Sequence, residues 1–316
     1  MIIKLIDIFF LSRPILLPTV YLFMVLGFLL DKDLSTLHFY FDINKDFLLN
    51  IIGFSFVMLS IFLSNRINDY EVDKVNRGPG FIEIKNIKLA KVVEFFYIIV
   101  GFTIISFSNN FIYYAILYFI ALIIGYLYNN KPFYFTGRPF LDFLSNALGY
   151  GVVSVILGYV SSTYTFKFNM IFQQDIFLNI VAYFFLMGAG SIGSTLPDIK
   201  GDLKNGKITT PIFIGIKKSL ILSIIFLIIS LILGVKTKNL IVILSSISSI
   251  FSYMLPFIFK YKEFSLYYTY QIGGGVLMLI TSIFFPYLLI TYLFFYIITL
   301  IYYKLRHNTI YPKLGK

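Results

Sequence analysis

Long apolar runs, separated by short polar loops, follow one another along the whole chain. Many reach about 18 residues, the length a helix needs to cross a membrane. Backbone groups in lipid must bond within the chain, and no alternating strand pattern is present, so helices are expected. The pattern predicts an all-α fold, a polytopic transmembrane helical bundle of nine to ten spans, as one domain over 1–316. The runs are about 15–30, 47–64, a third ending near 108, 111–128, 140–160, 176–195, 220–235, 240–259, 265–284 and 287–303.

Composition supports the membrane assignment and narrows the function. Of the 316 residues, 59% are hydrophobic, against about 45–50% apolar in typical soluble domains. The net charge of +11 comes from lysines and arginines in short loops, where positive charge sets membrane orientation. We therefore expect no nucleic-acid partner. Cysteine is absent and the two histidines, His38 and His307, lie near predicted span ends or beyond, so thiol chemistry is excluded and a histidine metal site is not expected.

Two acidic clusters follow apolar runs. Asn65, Asp69 and Asp73 are spaced four apart after the second run, and each step of four turns a helical side chain by only about 40°. Asp198 and Asp202 repeat this one-turn spacing after the sixth run. Oxygen donors without histidine or cysteine suit a hard cation, and few protein ligands leave room for phosphate, as in Mg²⁺ sites. We expect these five residues to bind Mg²⁺ and a diphosphate; the alternative is solvated loop charge.

The charge distribution predicts which side of the membrane carries these clusters. The loops after the second, fourth, sixth and eighth runs, and both ends of the chain, hold most of the lysines and arginines. The positive-inside rule places such loops in the cytoplasm. We therefore expect a multi-pass protein of the cell membrane with its active site facing the cytoplasm.

Three basic residues and several tyrosines lie near the predicted clusters. Arg77, Lys131 and Arg138 either contact the diphosphate or only set the topology, and an arginine can grip phosphate oxygens in bidentate fashion. Most of the 25 tyrosines and 37 phenylalanines are expected to face lipid or the core. Tyr128, near Tyr126 and Tyr150 at the mouth of the bundle, is a candidate to contact the substrate by a cation–π interaction.

The two motifs resemble hallmarks of the UbiA superfamily of intramembrane prenyltransferases, N-D-x-x-D-x-x-x-D after the second span and D-x-x-x-D after the sixth. Here they read Asn65-Arg66-x-x-Asp69-x-x-x-Asp73 and Asp198-x-x-x-Asp202. Further stretches that look like family features are Ser12-Arg13-Pro14, Tyr128 with Lys131-Pro132, and Asn76-Arg77. The resemblance covers about residues 11–215.

The chain also departs from the family pattern. Arg66 replaces the usual acidic residue, which makes the local charge less negative but keeps the Asn-Asp-Asp ligands. The chain has ten apolar runs, whereas nine spans are usual in the family. The stretch from Gly137-Arg138-Pro139 to Ser145-Asn146 is similar to R-P-x-L-D-x-x-S-N of the lycopene elongase branch. Leu196-Pro197-Asp198-Ile199, with Gly206 and Thr209-Thr210, points the same way.

The resemblance implies Mg²⁺-dependent transfer of a prenyl group from an allylic polyprenyl diphosphate to a hydrophobic acceptor within the lipid bilayer. The acceptor is a carotenoid or other polyene, a quinone-precursor aromatic or an isoprenoid lipid. Asp69, Asp73, Asp198 and Asp202 are the implied catalytic residues. The alternative is a cation-coupled membrane transporter, because carboxylates in a helical bundle also bind ions. Transporter sites lie near the midplane, whereas both clusters here are predicted at one face.

Overall fold

The computed structural model describes residues 2–70, 84, 86–204 and 206–312. Across these residues the regular elements are helical and no strand occurs, which confirms the all-α prediction. The α-helices are α1 (Ile2–Leu11), α2 (Leu17–Phe28), α3 (Lys45–Asn68), α4 (Ile87–Ile105), α5 (Phe111–Asn129), α6 (Leu141–Leu148), α7 (Val155–Ser162), α8 (Gln174–Thr195), α9 (Ile199–Lys204), α10 (Thr210–Ile214), α11 (Ile216–Lys236), α12 (Leu240–Ile258), α13 (Glu263–Phe284) and α14 (Tyr287–His307).

Long helical segments occupy the predicted apolar runs. In the described part of the chain, eight of them are long and apolar enough to cross a membrane. The remaining two long helices, α4 and α13, pack along α3 and α12 respectively. α4 carries Lys88, Lys91 and Glu94, which lowers its apolar character. The chain is therefore a polytopic helical bundle, and the number of its membrane crossings stays a prediction.

Asparagine side chains start three of the long helices. The Asn44 side chain accepts a hydrogen bond from the Phe47 amide at 2.7 Å, at the start of α3. Asn86 and Asn239 cap α4 and α12 in the same way. The first amides of a helix have no partner within the helix, so a capping oxygen stabilises the end. These caps stabilise the first turns of the three helices.

Glycines bring α2 and α7 into backbone contact. A Cβ atom on Gly27 of α2 would collide with the Val155 carbonyl oxygen, and one on Gly158 of α7 with that of Met24. Small residues at a helix crossing allow such close approach in membrane proteins. Any larger residue at either position would push α2 and α7 apart.

The helix of the fifth predicted run, residues 141–162, contains a π-helical turn. A π-helical turn over Gly149–Ser154 joins α6 to α7. Such turns insert an extra residue and often occur at functional sites. Tyr150 lies in this turn and lines the cavity described below, so the irregular turn helps to place a side chain in the cavity wall.

Candidate active site

A cavity of about 200 Å³ lies between the helices and has a mostly apolar lining. α3 contributes one face, with side chains spaced three or four residues apart as helical geometry requires. The α3 residues that line it are Phe54, Met58, Ile61, Phe62 and Asn65. The other lining residues are Arg13, Leu16, Ala121, Ile124, Gly125, Tyr128, Asn129, Ser145, Asn146, Gly149 and Tyr150. The arrangement suits an apolar ligand with a polar group near Asn65.

The first acidic cluster begins at the polar end of this cavity. The Asn65 amide nitrogen donates to Asn129 Oδ1 at 3.0 Å and to Asp69 Oδ2 at 3.3 Å. Asn129 in turn donates to the Ile61 carbonyl oxygen at 3.1 Å. Because Asn65 uses its nitrogen in both bonds, a cation would meet its oxygen. The predicted one-turn pair of Asn65 and Asp69 is therefore present, and Asn129 of α5 orients Asn65.

Asp69 ends α3 and is almost fully buried, at 7% exposure. Lys207 Nζ lies 3.1 Å from Asp69 Oδ2, and the Tyr134 hydroxyl donates to Asp69 Oδ1 at 2.9 Å. The Lys207 ammonium also lies 5.6 Å from the centre of the Tyr134 ring. Burial raises the pKa of Tyr134 to about 12, although the positive charge of Lys207 acts to lower it. The phenol therefore remains a hydrogen-bond donor to Asp69 at neutral pH.

The second acidic cluster lies next to the first. Burial raises the pKa of Asp202 to about 6; the charge of Lys207 opposes the rise, while Asp198, Asp69 and Asp142 add to it. Lys207 joins the two clusters, because its amide donates to the Asp202 carbonyl oxygen at 3.0 Å and its ammonium lies 3.1 Å from Asp69 Oδ2. The Asp202 amide donates to the Asp198 carbonyl oxygen at 2.9 Å, as the one-turn spacing predicts. Among the described residues, no three acidic or histidine side chains form a ready metal site.

A buried aspartate ties the segment after this cluster to the loop before α6. The Thr210 amide donates to Asp142 Oδ2 at 2.7 Å, and the Thr210 hydroxyl donates to Asp142 Oδ1. The Phe140 amide donates to Thr210 Oγ1 at 2.7 Å, and the Ile208 amide donates to the Gly137 carbonyl oxygen at 3.2 Å. The sequence predicted a candidate diphosphate contact in this loop, Arg138, and a resemblance to a family stretch, but no anchoring role. In the structure it anchors the polypeptide that carries the second cluster.

The predicted site residues fall into three groups. Asn65, Asp69, Tyr128, Asp198 and Asp202 gather around the polar end of the cavity or next to it. Lys131 and Arg138 are exposed on the loop after α5, and the Arg138 guanidinium donates to the Pro132 carbonyl oxygen. Asp73 and Arg77 lie outside the described residues.

Two residues near the site, Arg13 and Lys207, had no predicted role in it. For Arg66, the sequence did not predict where the side chain lies. Arg13 lines the cavity from the turn after α1, where its φ of 51° is left-handed. Arg66 is buried, at 8% exposure, and both arginines interact electrostatically with Tyr303 of α14. The Arg66 side chain, which stands where the family motif has an acidic residue, therefore lies close to α14. Lys207 could not be singled out in the sequence, because Lys200 and Lys204 share the same loop.

The model of the UbiA prenyltransferase family matches residues 15–262. The chain belongs to the UbiA prenyltransferase family. The resemblance found in the two acidic motifs is thereby confirmed at the level of the family. The match runs past the second cluster and just beyond the end of α12, so it includes all the residues that line the cavity except Arg13.

Relatives of this UbiA family member support the same assignment. Digeranylgeranylglyceryl phosphate synthase of Methanosphaera stadtmanae is 31% identical over 196 residues, which span 58% of this chain and 64% of that protein. The alignment therefore spans slightly less than two thirds of that relative.

Solved structures share the fold. A UbiA homologue of Archaeoglobus fulgidus bound to GPP and Mg²⁺ aligns with a TM-score of 0.61 at 19% identity, over 93% of this chain and 99% of that one. The apo structure of a UbiA homologue from Aeropyrum pernix K1 aligns with a TM-score of 0.61 at 17% identity, over 83% and 97%. At such identities the likeness shows the fold alone.

Proposed function

We propose that this protein transfers a prenyl group from an allylic polyprenyl diphosphate to a hydrophobic acceptor within the bilayer. The observation that carries the proposal is the continuity of the apolar cavity with the Asn65–Asp69 cluster at its polar end. An apolar tail and an anionic head on one ligand match this arrangement. Membership of the UbiA family and the GPP and Mg²⁺ bound by the Archaeoglobus homologue support it.

The donor atoms near the cavity mouth suit a magnesium ion. Asn65, Asp69, Asp198 and Asp202 offer oxygen, the ligand that Mg²⁺ prefers, and Asp73 completes the proposed ligand set from outside the described residues. The Lys207 ammonium at 3.1 Å from Asp69 already marks a position for positive charge. When bound, Mg²⁺ would supply a Lewis acid that stabilises the negative charge of the leaving diphosphate.

The remaining residues of the site would handle charge and water. Arg77, Lys131 and Arg138 are proposed to meet the diphosphate, and this requires Arg138 to exchange its Pro132 partner for a phosphate oxygen. The Tyr128 ring, in the cavity wall, would face the positive charge that develops on the allylic carbon. Phe54, Met58 and their apolar neighbours would hold the tail and exclude water from the reacting carbon.

The acceptor class is an isoprenoid lipid in our proposal, supported by the likeness to the Methanosphaera synthase. Carotenoid and quinone-precursor acceptors are the other classes to be tested, and the similarity to the lycopene elongase branch stays a prediction.

A cation-coupled transporter is the weaker candidate, because the acidic clusters sit at helix ends rather than in broken helices at the midplane. We also propose that the protein lies in the cell membrane with this site facing the cytoplasm.

Product formation by the purified protein tests this function. The full chain in lipid nanodiscs is supplied with geranylgeranyl diphosphate, Mg²⁺ and one acceptor class at a time, and lipids are analysed by mass spectrometry. We expect a prenylated product and released diphosphate only with Mg²⁺, and loss of both with EDTA. No product with any acceptor class, or equal turnover in EDTA, would contradict the proposal.

A further inference from the structure

Lys207 provides a buried positive charge at the proposed metal site. Its Nζ lies 3.1 Å from Asp69 Oδ2, and the two side chains are only 13% and 10% exposed. The other carboxylate oxygen of Asp69 accepts a hydrogen bond from the Tyr134 hydroxyl at 2.9 Å. The Lys207 ammonium lies over the Tyr134 ring, 5.6 Å from its centre. The ammonium thus occupies one oxygen of the carboxylate that is proposed to bind the metal.

The backbone around Lys207 holds this charge between the two acidic clusters. The Lys207 amide donates to the Asp202 carbonyl oxygen at 3.0 Å, and the next amide, that of Ile208, donates to the Gly137 carbonyl oxygen at 3.2 Å. Asp69 and Lys207 are 138 positions apart in the chain. Lys207 and its neighbour Ile208 therefore connect the end of α3, the loop after α9 and the loop before α6.

A purely structural role does not explain why this contact uses a lysine. Burying an ion pair removes both charges from water, and apolar residues of similar volume often stabilise a protein as well or better. A lysine ammonium is a compact charge on a flexible stem, which can move between nearby anions. A diphosphate bound at Asp69 would place phosphate oxygens within reach of that stem.

We propose that Lys207 exchanges partners during donor binding. Before the metal binds, its ammonium neutralises Asp69 and competes with Mg²⁺ for that carboxylate. Once Mg²⁺ has taken Asp69, the ammonium moves to a phosphate oxygen of the donor and becomes a diphosphate-binding residue. The inference rests on the proposed function, because it requires that the ligand carry a diphosphate.

The exchange predicts two opposite changes in a single variant, Lys207→Met. The full chain is purified in detergent, and two affinities are measured by calorimetry: that for Mn²⁺ alone, as a Mg²⁺ probe, and that for inorganic pyrophosphate at saturating Mg²⁺. We expect Mn²⁺ to bind about tenfold more tightly, because the competing ammonium is gone, and pyrophosphate to bind about tenfold more weakly. Lys204→Met makes the same change at an exposed lysine three residues earlier, at the end of α9, and should alter neither affinity.

The outcomes separate this inference from the proposed function. If Lys207→Met lowers both affinities or leaves both as in Lys204→Met, the partner exchange is overturned. If the unmodified protein shows no Mg²⁺-dependent pyrophosphate binding, the proposed function itself fails. Should Lys207→Met not fold, Lys207→Gln, which can still donate to Asp69 without a charge, must show the same two opposite changes or the inference fails.

Discussion

The amide nitrogen of Asn65 lies 3.0 Å from Asn129 Oδ1, and this bond joins α3 to α5 at the mouth of the cavity. Asn129 is buried, and its own nitrogen is bonded to the Ile61 carbonyl oxygen. Ile61 of α3 therefore holds the Asn129 side chain, and Asn129 in turn orients Asn65, one turn further along α3. The first residue of the acidic motif depends on a partner that the motif does not contain.

Replacing Asn129 tests whether this orientation matters for donor binding. Asn129→Ala removes the acceptor for Asn65, so the amide is free to rotate and its oxygen no longer faces the cluster. We expect the Mg²⁺ concentration needed for half-maximal donor binding to rise about tenfold, since a lost bond of this kind is worth about 1 kcal/mol or more. Asn130→Ala removes a more exposed bond, to Asn68 at 3.1 Å, and should leave the Mg²⁺ requirement unchanged. Equal effects of the two changes would contradict the role of Asn129.

The apolar end of the cavity predicts a preference for donor length. Asn65 and Phe54 lie at opposite ends of the lining face of α3, about 16 Å apart at the rise of an α-helix. Phe54 is buried at 1% exposure and its ring centre lies 5.2 Å from that of Tyr118. Tyr118 is itself fixed by a hydrogen bond to Asn50 at 3.0 Å. We infer that these rings end the tail-binding space.

Shortening the side chain at this end should lengthen the preferred donor. We expect Phe54→Leu to raise the ratio of kcat/KM for geranylgeranyl over geranyl diphosphate by about tenfold, roughly 1.4 kcal/mol of differential binding. Phe56→Leu is the control, because Phe56 does not line the cavity and packs near Tyr97 instead. A ratio that stays constant in Phe54→Leu, or rises equally in Phe56→Leu, would show that the tail does not reach Phe54.

The contact between α2 and α7 should be needed for folding. Gly158→Ala would push a methyl group into the Met24 carbonyl oxygen, whereas a Cβ at Gly149 in the same span meets nothing within 4 Å. We expect Gly158→Ala to lower the midpoint of thermal unfolding by several degrees and to reduce membrane yield, because the overpacked backbone cannot relax. Gly149→Ala should unfold at the temperature of the unmodified protein. Unchanged stability in Gly158→Ala would contradict the observed helix contact.

The sequence predicted the helices and the local parts of the site because both depend on short-range periodicity. Apolar runs located the spans, and the four-residue spacings brought Asn65 beside Asp69 and Asp198 beside Asp202. Contacts between distant segments carry no such signal. Lys207 is one of several lysines in its loop until the fold brings it to Asp69, and Asp142 gains its role only through Thr210. The bond of Arg138 to Pro132 likewise depends on how its loop folds.

Three aspartate-to-asparagine variants, compared in Mg²⁺-dependent prenyl transfer, test whether the two acidic clusters carry the catalysis. Asp69→Asn and Asp198→Asn each remove a negative charge from the clusters, while Asp175→Asn makes the same change in the exposed first turn of α8, at the opposite end of that helix from Asp198. We expect full turnover in Asp175→Asn, and at least about 100-fold lower kcat in the folded fraction of the other two variants at saturating donor. Yield should be near normal for Asp175→Asn and Asp198→Asn and lower for Asp69→Asn, because that change removes the ion-pair partner of the buried Lys207 ammonium. Full turnover in Asp69→Asn and Asp198→Asn would contradict a catalytic role of the two clusters.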